Sequence, residues 1–123
     1  MPRTMRTVLA TFSALACYPA CAFAFGAIAV DSPQPAAGQP VSVIVIGHKS
    51  RGEATAAALA KCAASGGKQC TVIATFERCG ALAASPHTSG TGWGITGRDA
   101  RNRALRACNN DDCRVILNAC EDY

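Results

Sequence analysis

Histidine, tryptophan and methionine are scarce in this chain, with two, one and two copies among 123 residues. The shortage of histidine narrows the chemistry available, because a Ser or Cys nucleophile needs a neighbouring base oriented by a carboxylate. Only His48 and His87 can be that base, with Asp31 and Glu77 as candidate carboxylates. No Gly-x-Ser-x-Gly elbow marks a serine, and the run Gly92 to Ile95 lacks the Lys-Ser/Thr of a phosphate loop. Matched short cysteine pairs are missing too. The recurring intervals are seven residues and four, which argues against a zinc ribbon or finger. No metal or other cofactor is expected. Charge is sparse, at 16 % Asp, Glu, Lys and Arg, and lacks the concentrated basic footprint of a nucleic-acid binder. Beyond the N-terminus no apolar run reaches the length of a bilayer span, so no integral membrane segment is expected in the mature protein.

The N-terminus reads as an export signal over residues 1–24. Arg3 and Arg6 form the charged region, Val8 to Ala16 a short apolar region, and Ala22-Phe-Ala24 an A-x-A cleavage site. A lipoprotein signal ending at Cys17 competes with this reading, but Ala14 stands where a lipobox carries Leu. Cleavage removes Cys17 and Cys21 and leaves six cysteines, an even number, in a domain of about 100 residues. That pattern implies three disulfides in an oxidising compartment, periplasmic or secreted. Small side chains, mostly Ala and Val, dominate the candidate core, so crosslinks supplement a modest apolar burial.

What the mature chain has in abundance is repetition. Gly26-Ala-Ile-Ala-Val30, Ser50-Arg-Gly-Glu53, Ala58-Leu59 and Cys62 recur as Gly80-Ala-Leu-Ala-Ala84, Thr96-Gly-Arg-Asp99, Ala104-Leu105 and Cys108. Each copy closes on a cysteine and a β-branched run, Cys70 to Thr75 and Cys113 to Leu117. A duplication requires both halves to fold alike. The copies are 25–79 and 80–123 of a single domain 25–123.

Within each copy the pattern is strand, strand, helix, strand. Gly26 to Val30 and Val41 to Ile46 read as strands, separated by the proline-rich stretch Asp31 to Pro40. Ser50 and Glu53 form a capping box for an alanine-rich helix that Gly66-Gly67 stops. In the second copy Ala100, Ala104, Ala107 and Cys108 share one helical face, while Arg98, Asn102, Arg103 and Arg106 lie mostly on the other. The Gly/Ser/Thr-rich segment Ser85 to Gly92 reads as a mobile loop. The expected fold is α+β, a largely antiparallel sheet with two helices on one face, stapled by disulfides and related by a pseudo-twofold.

Two features could carry recognition. Trp93, set in Gly90-Thr-Gly-Trp-Gly94, is either an exposed anchor or a core residue plugging a sheet edge. The arginines at 98, 101, 103 and 106 could meet an anionic partner or form an ordinary solvated helix face.

The opening Gly-Ala-Ile-Ala-Val, the central Cys79-Gly-Ala-Leu-Ala, Gly92-Trp-Gly94 before a capped helix, and Ala-Leu-x-x-Cys ending each helix together resemble a family of small exported bacterial proteins, domain of unknown function 4189. The resemblance covers essentially the whole mature chain and implies export and disulfides. It brings no catalytic residues. Ile46-Gly47-His48 of the first copy departs from the Trp-Gly pattern.

The expected pairing is Cys62–Cys70 and Cys108–Cys113, each joining a helix end to the following strand, with Cys79–Cys120 stapling the two copies. The leading functional expectation is a non-enzymatic protein that binds another envelope or secreted protein, as an inhibitor or immunity-type partner would, with Trp93 as the candidate contact. A small extracytoplasmic hydrolase using His48 or His87, or a structural envelope component, are the alternatives.

Overall fold

The computed structural model describes residues 24–31 and 41–121. The stretch read as an export signal, with Cys17 and Cys21, lies outside them except for its last residue, as does all but the first residue of the proline-rich stretch. In the first copy, β1 (Phe25–Asp31), β2 (Ser42–His48), α1 (Arg51–Ala64) and β3 (Cys70–Glu77) follow in that order. The second copy repeats them as β4 (Cys79–Ala84), β5 (Ser89–Gly94), α2 (Gly97–Cys108) and β6 (Arg114–Cys120). The antiparallel, duplicated, disulfide-linked α+β arrangement is therefore present. Its strands divide into two three-stranded sheets, ordered β2-β1-β3 and β5-β4-β6.

The central strands explain the division. β1 and β4 are apolar on both faces, so each must be covered twice. Ala27 and Ala29 of β1 pack with Ala54, Ala58 and Cys62 of α1. Ala81 and Ala83 of β4 pack in the same way with Ala100, Ala104 and Cys108 of α2. Ile28 and Leu82, on the opposite faces, meet with Phe76 between the sheets. Each sheet thus carries its helix on one face and its twin on the other, giving four layers. Alanine on both sides of each helix–sheet contact lets the backbones approach closely.

Phe76 marks the centre of the sandwich. Its ring is 2 % exposed and fills the space where Gly26 and Gly80, matched residues of the two copies, would carry a Cβ. Gly26 pairs with Phe76 and Gly80 with Ala119. The second copy therefore has a methyl where the first has a ring, because one aromatic fills the space between both glycines.

Helix starts follow the caps read in the sequence. Ser50 Oγ accepts the Glu53 amide at 3.1 Å, and Thr96 Oγ1 accepts the Asp99 amide at 3.1 Å. The Glu53 carboxylate turns to Lys49 Nζ (3.5 Å) and His48 Nδ1 (3.7 Å). Asn109, at φ 57°, closes α2 with its N–H on Leu105 O.

Two expectations are corrected. Residues 89–92 are not loop but the start of β5; only 85–88 form a turn, held by Ser85 Oγ accepting the amides of His87 (3.1 Å) and Thr88 (3.0 Å). A strand with three glycines survives because it lies directly against α2. A Cβ on Gly90 would strike Cys108 N, on Gly92 Ala100 O and Ala104 N, and on Gly94 the Asp99 side chain. The second correction concerns Cys79–Cys120, with Cα atoms 4.0 Å apart. Cys79, read as the last residue of the first copy, instead opens β4 and is the cross-strand partner of Cys120 within the second sheet, so this bond ties β4 to β6 rather than one sheet to the other. Cys62–Cys70 and Cys108–Cys113 each tie a helix C-terminus to its neighbouring strand segment, with Cα atoms 6.1 and 6.3 Å apart.

Candidate functional site

Three places bring candidate residues together, and they are separate from one another. The first surrounds Trp93. Because Gly92 and Gly94 face α2, the indole between them projects from the other side of β5, and it is 55 % exposed. The core reading of this tryptophan is thereby excluded. Arg103 of α2 reaches over the strand edge. Its guanidinium lies 5.6 Å from the indole centroid and donates through Nη1 to Trp93 O at 3.3 Å. A small recess of about 140 Å³ beside the ring is lined by Thr75, Phe76 and Glu77 of β3 in the facing sheet and by Arg51 at the start of α1. Its charges are internally matched, since Arg51 donates to Thr75 Oγ1, lies 3.7 Å from Glu77 Oε2 and stacks 5.3 Å over Phe25. The equivalent edge of the first sheet is covered similarly, Lys61 Nζ donating to Ile44 O at 3.1 Å. Helix-borne cations thus occupy backbone acceptors on both edges and oppose pairing with a further strand.

The second place is a cleft of about 640 Å³ where the two sheets diverge. Matched residues of the copies line it in pairs: Val30 with Ala84, Ser42 with Ser89, and Ile73 with Ile116. The two isoleucines are the extra residues of β-bulges, opposite Ile28/Ala29 in β1 and Leu82/Ala83 in β4. Each bulge turns its side chain out of the core, leaving Ile73 40 % and Ile116 49 % exposed. His87 lines it with Ser85 and Thr88, and no carboxylate among the described residues does so.

His48 occupies the third place, the end of β2 opposite Phe25, half-buried and 3.7 Å from Glu53. The two carboxylates singled out as possible orienters serve elsewhere. Asp31 accepts the amides of Lys68 (3.2 Å) and Gln69 (2.8 Å), and Glu77 faces Arg51. No Ser–His–carboxylate constellation is assembled among the described residues. Nor does any group of three or more His, Cys, Asp or Glu among them form a metal-binding cluster. No helix among the described residues is long and apolar enough to cross a membrane.

The bulged isoleucines were not singled out as a site from sequence, and Arg103 was read only as one of four arginines on a helix face, not as the cover of Trp93. Ile73 and Ile116 do stand at matched places in the two Val-Ile runs, which is a signal that they share an environment. Their exposure is set by partner-strand register, which a single strand does not encode.

Comparison with curated proteins and with solved structures finds no match. A protein-family profile described as domain of unknown function (DUF4189) matches residues 25–120, a span that takes in every strand, helix and disulfide described above. The chain belongs to the DUF4189 family.

Proposed function

We propose that this is an exported, non-catalytic binding domain that engages another envelope or secreted protein, in the manner of an inhibitor or immunity partner, through the surface centred on Trp93. The exposed indole carries the proposal. A lone tryptophan held in water on a strand clamped beneath a helix offers a large apolar contact with one donor. Its backbone is already fixed, so little conformational entropy is lost on binding. Export is supported by the Ala22-Phe-Ala24 cleavage pattern and by three disulfides.

Trp93→Ala tests the reading. With disulfides intact, the variant keeps its melting temperature within a few degrees, because an exposed side chain contributes about 0.5 kcal/mol or less to folding. Capture of the partner by immobilised protein from a native envelope extract falls tenfold or more, about 1.4 kcal/mol at the low end of a hot spot. Capture unchanged by Trp93→Ala moves the contact away from this surface.

A further inference from the structure

We propose that the outer face of α2 docks on an anionic phospholipid bilayer. This surface is distinct from the Trp93 contact. The first copy supplies the control, because α1 and α2 align residue for residue through Ala54/Ala100, Ala58/Ala104 and Cys62/Cys108. At matched positions Arg98, Arg101, Arg103 and Arg106 replace Gly52, Thr55, Ala57 and Ala60. Folding does not call for this change: alanine is the better helix former, and α1 covers its sheet without those cations. At the start of the helix the change is electrostatically unfavourable, although Arg106 in the last turn suits the dipole. Arg98 stands at the positive end of the helix dipole, and the arginines crowd one another at i,i+3 spacing.

Three cations in and beside α1 are engaged. Arg51 meets Glu77 and Thr75, Lys49 meets Glu53, and Lys61 covers Ile44 O. In α2 only Arg103 is similarly occupied, by Trp93. Among the described residues no ion pair reaches Arg98, Arg101 or Arg106. These three, all exposed, fall within about 140° of helix circumference at 3.6 residues per turn. Leu105 lies inside that arc.

The shape and chemistry point to one occupant. The face is convex and borders neither cleft, which suits an extended surface rather than a small ligand. Three guanidinium forks and no lysine match phosphate oxygens. Leu105 is 36 % exposed, and Ile95, just before the helix cap, is 68 % exposed. These side chains gain by entering the acyl boundary of a bilayer and gain nothing on a hydrated polyanion. The result is a peripheral contact on a protein with no membrane-crossing helix among its described residues.

The test uses residues 24–123, which hold every described element and omit the apolar N-terminal run, floated with phosphatidylcholine vesicles with or without about one-third phosphatidylglycerol. The protein binds only the anionic vesicles, and release follows as salt rises from about 50 mM to about 1 M and the Debye length shortens to about 3 Å. R98A/R101A/R106A weakens binding on the order of a hundredfold, about fivefold per arginine. I95S/L105S weakens vesicle binding by about tenfold yet leaves elution from immobilised polyphosphate unchanged. Trp93→Ala changes neither, which separates this surface from the partner contact. Circular dichroism of each variant confirms that it is folded. Equal binding to neutral vesicles, or arginine-variant binding within about threefold of the parent, overturns the proposal. Retention on polyphosphate or on an acidic protein without vesicle binding also overturns it, and assigns the face to that other anion.

Discussion

Removing the Phe76 ring tests the sandwich at its centre. The side chain is 2 % exposed, and a buried Phe→Ala change costs about 3–5 kcal/mol, more where the cavity cannot collapse. Collapse is limited here, because the ring lies against Gly26 and Gly80, which have no side chains to move inward, and only Ile28 and Leu82 of the same buried cluster border the void. The loss should therefore lie near the upper end, about 4–5 kcal/mol. For a domain of this size each kcal/mol shifts the melting temperature by about 4–8 °C, so Phe76→Ala lowers it by roughly 15–40 °C. Thermal and urea unfolding followed by circular dichroism, with disulfides intact, measures this directly.

The pseudo-twofold makes the test more demanding. Ala119 is the second copy's counterpart of Phe76, facing Gly80 as Phe76 faces Gly26. A ring on either residue should reach the same space. Ala119→Phe alone places a second ring where one already sits and costs about 1–3 kcal/mol by overpacking. Combined with Phe76→Ala it refills the void from the other sheet and restores about half or more of the lost stability. The coupling between the two changes is then large and favourable, as for residues sharing one cavity. A double variant no more stable than Phe76→Ala would refute the assignment of one shared space between the copies.

Three further outcomes follow from the same geometry. Gly92→Val installs the residue found at the matched position Val45 and drives its side chain into the α2 backbone at Ala100 and Ala104; a loss of about 3 kcal/mol or more is expected in urea unfolding. Replacing Cys79 and Cys120 by Ala opens a bridge of sequence separation 41 and should cost about 4 kcal/mol by loop entropy, against about 2–3 kcal/mol for either shorter bridge; peptide mapping under non-reducing conditions checks the pairing itself. H48A/H87A should leave stability within about 1 kcal/mol, as befits an exposed turn residue and a partly exposed histidine 3.7 Å from a carboxylate, and partner capture unchanged; a hundredfold loss of a measured activity would instead indicate catalysis by one of them.

Duplication made most of the fold legible. Repeated caps, alanine faces and β-branched runs each prescribe a local structure, and finding them twice in one order sets the element sequence. Two features depended on contacts between segments. The Ala-Ile-Ala of β1 shows that both faces are covered, yet that pattern does not distinguish a second sheet from any other apolar layer. The glycines of β5 have low intrinsic strand preference, and only the close approach of α2 makes them a strand. The exposure of Trp93 follows from that same contact, because strand alternation sends its indole away from whichever face the glycines occupy. At the candidate site, the tryptophan was legible as a residue of interest but its exposure was not. The outward turn of Ile73 and Ile116 depends on bulge register with β1 and β4, information held by the partner strands.

The two copies also separate what the fold requires from what the second half has added. In the first copy Val43 and Val45 fill the layer between β2 and α1, and Ile46 occupies the place of Trp93. In the second, glycines remove that layer and α2 rests on the strand itself, with Arg103 closing over the Trp93 carbonyl and ring. The helix therefore acts as a clamp on the backbone that presents the indole. This distinguishes presentation from contact. Trp93→Ala removes the contact and leaves the clamp, so capture falls without loss of stability. Gly92→Val forces the clamp open one residue away and leaves the indole in place, so stability and capture should fall together. If Gly92→Val lowered stability while capture per folded molecule stayed unchanged, the rigidity of β5 would have no part in recognition.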